Sequence, residues 1–417
     1  MLRCADLLAT PRSGAGFFIN PRRRAKLPPF SRAAPPMERK HWDIFCAVVD
    51  NYGDIGVAWR LARRLAHDFG LEVRLWVDDL ASFARIAPEL DPALPAQRLA
   101  DIDIRHWPAD GPPDDTVPAD VVIEAFGCRL SERFEQAMAA KAVKPVWINL
   151  EYLSAEDWTR GCHRQPSPHP RLPLTKHFFF PGFGADTGGL ICEQGLLDVR
   201  RQWQDDALAR CAYWQLLELP EPAANEWRVS LFAYENPAVT SLLAAWALGE
   251  RPVTCLLPEG KALPDAARVF GHPLRAGMLA HQGQLTVKVL PMTDQDSYDL
   301  LLWSCDLNLV RGEDSFVRAQ WAGRPFLWHI YPQDDDAHLA KLDAFLSQYG
   351  AALPADAAQA LTAASHAWNH GADMAAAWTA LAAWLPAWRE HAAIWPEKLL
   401  ADGDLGDRLL HFVREIG

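Results

Sequence analysis

The sequence predicts an α/β protein of two Rossmann-like, doubly wound domains facing each other across a cleft, and three observations carry that expectation. The chain has 417 residues, beyond the ~250–300 at which a single hydrophobic core stops growing. Short apolar runs alternate with stretches of helical period, the order that builds a parallel sheet. The alternation breaks at LPEPAANE, a Pro/Ala/Glu-rich stretch from Leu219, and then begins again.

In the first half, DIFCAVV from Asp43 reads as a strand buried on both faces. After the loop DNYGDIG, Val57, Leu61, Leu65 and Phe69 recur at helical spacing, with Gly70 as the stop. LEVRLWVDD from Leu71 is a second strand and ASFARIAPEL a second helix; DIDIRHW, DVVIEAFG and PVWINLEYL supply further strands. The region from Ser154 to about Asp198 is irregular, and HPRLPLTKHFFFPGFG fits a surface segment and a binding loop equally well. In the second half the strands are WRVSLFAY, PVTCLLP, LTVKVLPM, DLNLVRG and RPFLWHIY, each followed by a helical stretch. From about Ala355 the chain is helical, and Trp368, Trp378, Trp384 and Trp388 read as core filler. The expected boundaries are an extension over 1–36, a first domain over 37–222, a second over 223–398, and a C-terminal helix over 399–417 returning to the first domain. Two such domains closed by such a helix describe the GT-B architecture.

Composition excludes several function classes. Fifty-three acidic against 41 basic residues argue against a nucleic-acid binder, whose phosphate contacts demand a basic surface. No apolar run reaches the ~18 residues of a membrane span. The eight cysteines are scattered singly, without zinc spacing, and read as reduced thiols. Residues 1–36 differ from the rest, with seven basic residues against Asp6; they read as a targeting segment or basic arm, or as a disordered or non-native extension before Met37, and the extension is the expectation. The acidic stretches Asp78-Asp79 and Asp334-Asp335-Asp336 read as helix-dipole partners, and no metal or cofactor is expected.

Two strand-to-helix loops hold residues suited to chemistry. Asp50, Asn51, Tyr52, Gly53, Asp54 and Gly56 lie where a strand's carboxyl end meets a helix start, the crevice in which open α/β sheets bind ligands. The loop lacks GxGxxG spacing, and carboxylates at a helix start repel a pyrophosphate, so acid–base work is the functional reading. Helix capping by either aspartate accounts for them equally well. In the second half, Arg311, Gly312, Glu313, Asp314 and Ser315 follow a strand in the same way. A guanidinium, a hydroxyl and helix-start N–H groups suit a diphosphate leaving group, with Glu313 within reach of a ribose or sugar hydroxyl. The bland alternative is a capped helix with a surface ion pair. Phe232 and Tyr234 end a strand, and Gln295 and Tyr298 open a helix; an aromatic there stacks on a base or belongs to the core.

With those residues in hand, the chain resembles the protein-arginine rhamnosyltransferases that modify bacterial translation elongation factor P. VVDNYGDIGVAWRLARRLA from Val48, INLEYLSAEDW from Ile148, LFAYEN from Leu231 and LVRGEDSFVRAQWAGRPFLWHIYPQDDDAH from Leu309 carry the resemblance, which covers everything after about Met37. It implies a cytoplasmic, monomeric, inverting GT-B enzyme that needs no metal. It further implies transfer of rhamnose from dTDP-β-L-rhamnose to one arginine of elongation factor P, which activates that factor for ribosomes stalled at polyproline. The family's acidic residues fall on Asp50, Asp54 and Glu313, and its donor-site residues on Phe232, Tyr234, Gln295, Arg311, Asp314 and Ser315. Tyr298 stands where the family more often has phenylalanine, so its hydroxyl needs a partner. A guanidinium with pKa above ~12 needs a carboxylate to hold it and one to deprotonate it. Asp54 is the expected base and Asp50 its partner. The rival readings are a GT-B transferase with a lipid or small-molecule acceptor and a non-catalytic nucleotide-sugar binder.

Overall fold

The computed structural model describes residues 40–50, 52–333 and 336–417. The extension over 1–36, Asn51, Asp334 and Asp335 lie outside the described residues. Eight strands form the first sheet: β1 (His41–Cys46), β2 (Glu72–Val77), β3 (Ala96–Leu99), β4 (Ile102–His106), β5 (Val121–Ala125), β6 (Val146–Leu150), β7 (Pro166–Pro168) and β8 (Thr175–Phe179). Their order is β3-β4-β2-β1-β5-β6-β8-β7, parallel except at the two edges. Six strands form the second: β9 (Trp227–Leu231), β10 (Val253–Pro258), β11 (Leu279–Gln282), β12 (Leu285–Leu290), β13 (Leu307–Arg311) and β14 (Phe326–His329). Their order is β11-β12-β10-β9-β13-β14, antiparallel only between β11 and β12. The fold is GT-B, two parallel α/β sheets each covered by helices. Among the described residues no helix is long and apolar enough to cross a membrane.

The first strand ends sooner than its apolar run. Beyond Cys46 the backbone leaves the ladder: the Val48 N–H turns to Asp78 (2.9 Å), and those of Val49 and Asp50 turn to Asp54. The ambiguous HPRLPLTKHFFFPGFG contains β8, which pairs parallel with β6 and brings Phe179 into the core. Its outer neighbour β7 holds Pro166 and Pro168, tolerable because an edge strand needs no donor on its free side. Asp79 caps the helix Leu80–Ala84 through the Ser82 N–H, the helix-dipole role its position suggests. Trp368, Trp378 and Trp388 are buried, whereas Trp384 is half-buried at a helix start.

Two long-range features tie the sheets together. The helix Leu405–Ile416 opens with a reciprocal capping box between Asp404 and Asp407 and lays Phe412 against Phe179 and His177 beside the first sheet. Asp404 also pairs with Arg64 (3.0 Å). In the second feature, Arg60 of the helix Gly53–Arg63 is fully buried against carboxylates of the other domain: Asp314 at 2.8 Å and Asp299 at 3.3 Å. Arg318 shares Asp299 (2.6 Å) and Glu193 (2.7 Å), so two guanidiniums and three carboxylates form one seam. Removing one member of such a buried network strands the opposite charges. Arg60→Met is therefore expected to destabilise the protein by about 3–5 kcal/mol, seen as a lower denaturant midpoint in circular dichroism. An unchanged midpoint would show the seam to be dispensable.

Candidate active site

The carboxyl ends of β1 and β13 place the two loops opposite each other. In the first, the helix begins at Gly53 with Tyr52 as N-cap, and no side chain caps it. The capping explanation for the aspartates therefore falls. The buried Asp54 carboxylate instead reaches back, its Oδ2 accepting the N–H groups of Val49 (2.8 Å) and Asp50 (2.9 Å). Burial raises its pKa from the ordinary carboxylate value, against these two N–H bonds. Gly53 and Gly56 serve close approach. A Cβ at Gly53 would lie 2.8 Å from Asp50 Oδ2, and one at Gly56 would lie 3.1 Å from Asp314 and Gln295 across the cleft.

Asp50 points into the cleft. Its Oδ2 accepts the Tyr234 hydroxyl proton at 2.6 Å, and Arg311 Nη1 stands 3.7 Å from its Oδ1. That Oδ1 is buried and has no hydrogen-bond partner among the described residues. The Arg311 guanidinium lies over the rings of Phe232 and Tyr234, each at 4.4 Å, with Tyr52 at 5.8 Å, contacts that fix its plane. Gly312 takes a φ of +61°, and a Cβ there would press on Asp50 Oδ2 and the Tyr234 hydroxyl. The Ser315 hydroxyl accepts the Arg311 N–H (3.1 Å) and donates to the Arg311 carbonyl, closing the turn.

Glu313 precedes the helix Asp314–Ala322 without capping it. Its Oε2 accepts the Leu153 N–H (3.1 Å) just beyond β6, so its carboxyl turns towards the first domain. Burial pushes its pKa up to about 8, opposed by the Leu153 N–H and supported by the charge of Asp54. Burial thus favours its protonated form, and that form spares Asp54 a second negative neighbour.

The remaining expected residues divide between cleft and seam. Asp50, Tyr52, Gly53, Phe232, Gln295, Tyr298, Arg311, Gly312, Asp314 and Ser315 line one cleft, which holds about 600 Å³ of empty space partly open to solvent. Ile86, Pro258, Met292 and Thr293 complete its wall and carried no signal in the sequence, being ordinary loop and strand-end residues. Gln295 lies on the wall, but its amide bridges the domains, donating to the Gly56 carbonyl (3.0 Å) and Asp314 (3.1 Å). The Tyr298 ring meets Phe232 at 6.0 Å. Its hydroxyl is buried beside Ser315 and makes no hydrogen bond of good geometry among the described residues. Asp54 and Glu313 lie outside that lining and face each other behind it, while Tyr234 stands beside Asp50.

This geometry can hold an anion against Arg311 and presents the Asp50 carboxylate to the same cleft, with Asp54 behind it. A family model described as elongation-factor P (EF-P) rhamnosyltransferase, EarP, matches residues 42–414. Relatives named protein-arginine rhamnosyltransferase, from Pseudomonas putida and Pseudomonas aeruginosa, are each 50% identical over 374 residues, covering 89% of this chain and 98% of theirs. A solved structure described as the structural basis for EarP-mediated arginine glycosylation of translation elongation factor EF-P is 37% identical. It covers 90% of this chain and 99% of its own, with a TM-score of 0.64.

Proposed function

This chain belongs to the EarP family of elongation-factor P rhamnosyltransferases, and from that premise we propose that it transfers L-rhamnose from dTDP-β-L-rhamnose to one arginine guanidinium of elongation factor P. The observation that carries the reading is the cleft that Asp50 and the ring-stacked Arg311 line together, with buried Asp54 behind Asp50 and holding its N–H. The attacking nitrogen forms a bond to the anomeric carbon while the bond to the diphosphate oxygen breaks, and the nitrogen's proton passes to Asp54. Base and leaving group on opposite faces give inversion. Asp50 Oδ1, buried and without a hydrogen-bond partner among the described residues, suits an acceptor N–H. Charge gathering on the diphosphate is met by Arg311 and the N–H groups that open the helix Asp314–Ala322, without a metal. Elongation factor P as acceptor sets the work in the cytoplasm.

The test is direct. Incubated with dTDP-β-L-rhamnose and purified elongation factor P, the protein is expected to add one deoxyhexose mass to an arginine-bearing peptide in tandem mass spectrometry. An unmodified factor after prolonged incubation would reject the proposal.

A further inference from the structure

The helix Gly53–Arg63 turns one face to the second domain. Gly56, Arg60 and Arg63 recur on that face at helical spacing, and all three meet Gln295, the first residue of the helix Gln295–Ser304. Gln295 Nε2 donates to the Gly56 carbonyl (3.0 Å), its Oε1 accepts Arg63 Nη2 (3.3 Å), and its backbone carbonyl accepts Arg60 Nη2 (3.4 Å). Arg60 Nε reaches further, to Asp314 Oδ1 at 2.8 Å, while Gln295 Nε2 holds Asp314 Oδ2 at 3.1 Å. The remaining N–H groups of Arg60 go to Asp299 and Glu193, each at 3.3 Å. One fully buried guanidinium thus ties together the starts of two second-domain helices, whose first residues Gln295 and Asp314 both line the cleft.

We propose that Arg60 is a positioning residue of the donor site, a first-domain side chain that fixes Gln295 and Asp314, and with them the helix starts where the donor's charge is met. The inference rests on the proposed reading of the cleft as the site of a nucleotide-diphosphate donor. A free carboxylate at a helix start repels such an anion. Here the Arg60 charge lies 2.8 Å from Asp314, and both Asp314 oxygens already accept a hydrogen bond. The helix N–H groups and Arg311 therefore meet the diphosphate without that opposition. Planarity matters as much as charge. Nε, Nη1 and Nη2 of one rigid group reach Asp314, Asp299 and the Gln295 carbonyl, a span that the single nitrogen of a lysine does not cover.

Arg60→Lys keeps the charge and removes the fork. In calorimetric titration it is expected to bind dTDP about tenfold more weakly than the wild type. In transfer assays the donor KM should rise by a similar factor, with kcat within about threefold. Arg318→Lys is the control for a merely structural role. Arg318 holds Asp299 (2.6 Å) and Glu193 (2.7 Å) in the same seam from outside the cleft lining, so its lysine variant should keep dTDP affinity within about twofold. Wild-type affinity in Arg60→Lys, equal weakening in both variants, or a loss confined to kcat overturns the proposal. If Arg60→Lys does not fold, hydrogen exchange of the wild-type protein decides. A seam that favours dTDP is itself stabilised by dTDP to the same degree. Amides of residues 59–68 should then exchange about tenfold more slowly under saturating dTDP, and an unchanged rate overturns the assignment. A wild type that binds no dTDP removes the donor reading itself, whereas binding that Arg60→Lys leaves intact removes only the positioning role.

Discussion

Asp54→Asn is expected to lower rhamnosyl transfer by about 10³-fold while leaving the fold and the donor site in place. The amide keeps one oxygen that can accept the Val49 and Asp50 N–H groups, so the loop retains its shape. It loses the basic oxygen. A guanidinium nitrogen that attacks carbon without shedding its proton would carry a second positive charge. Quantitative mass spectrometry of modified elongation factor P over time gives the rate, and calorimetric titration with dTDP should give wild-type affinity. Transfer within tenfold of wild type would assign the proton to another group.

Arg311→Lys is expected to reduce kcat/KM for the donor by about 10²–10³-fold, although the charge is kept. The arginine's value here is its plane. It is held over Phe232 and Tyr234 at 4.4 Å and stands 3.7 Å from Asp50, an arrangement a tetrahedral ammonium on a flexible stem cannot reproduce. Replacement also frees the Tyr234 ring that presents its hydroxyl to Asp50, so the loss reaches both walls of the cleft. Steady-state kinetics with varied donor measure it. A lysine variant within threefold of wild type would show that charge alone suffices.

Much of the architecture was legible because parallel strands buried on both faces leave continuous apolar runs, as in DIFC or VWINL. The edges were not. β3, β7 and β11 are short, antiparallel and partly exposed, so they lack that signature. The two chemical loops were legible because each joins a strand end to a helix start. Their interlocking was hidden, since it rests on pairs far apart in sequence: Tyr234 with Asp50, Gln295 with Gly56, Leu153 with Glu313. Glu193 lies in the stretch read as irregular, yet it pairs with Arg318 between the sheets.

The buried seam of Arg60, Glu193, Asp299, Asp314 and Arg318 also bears on how this protein can diverge. Any single replacement that removes a charge leaves an opposite one stranded, so such a step is costly unless its partner changes too. Because Arg60 sits on the helix that carries Asp54 and Asp314 opens the one after Arg311, the seam ties the spacing between the two loops to the stability of the fold. A charge lost from the seam is thus felt at the cleft's width as well as in the folding equilibrium.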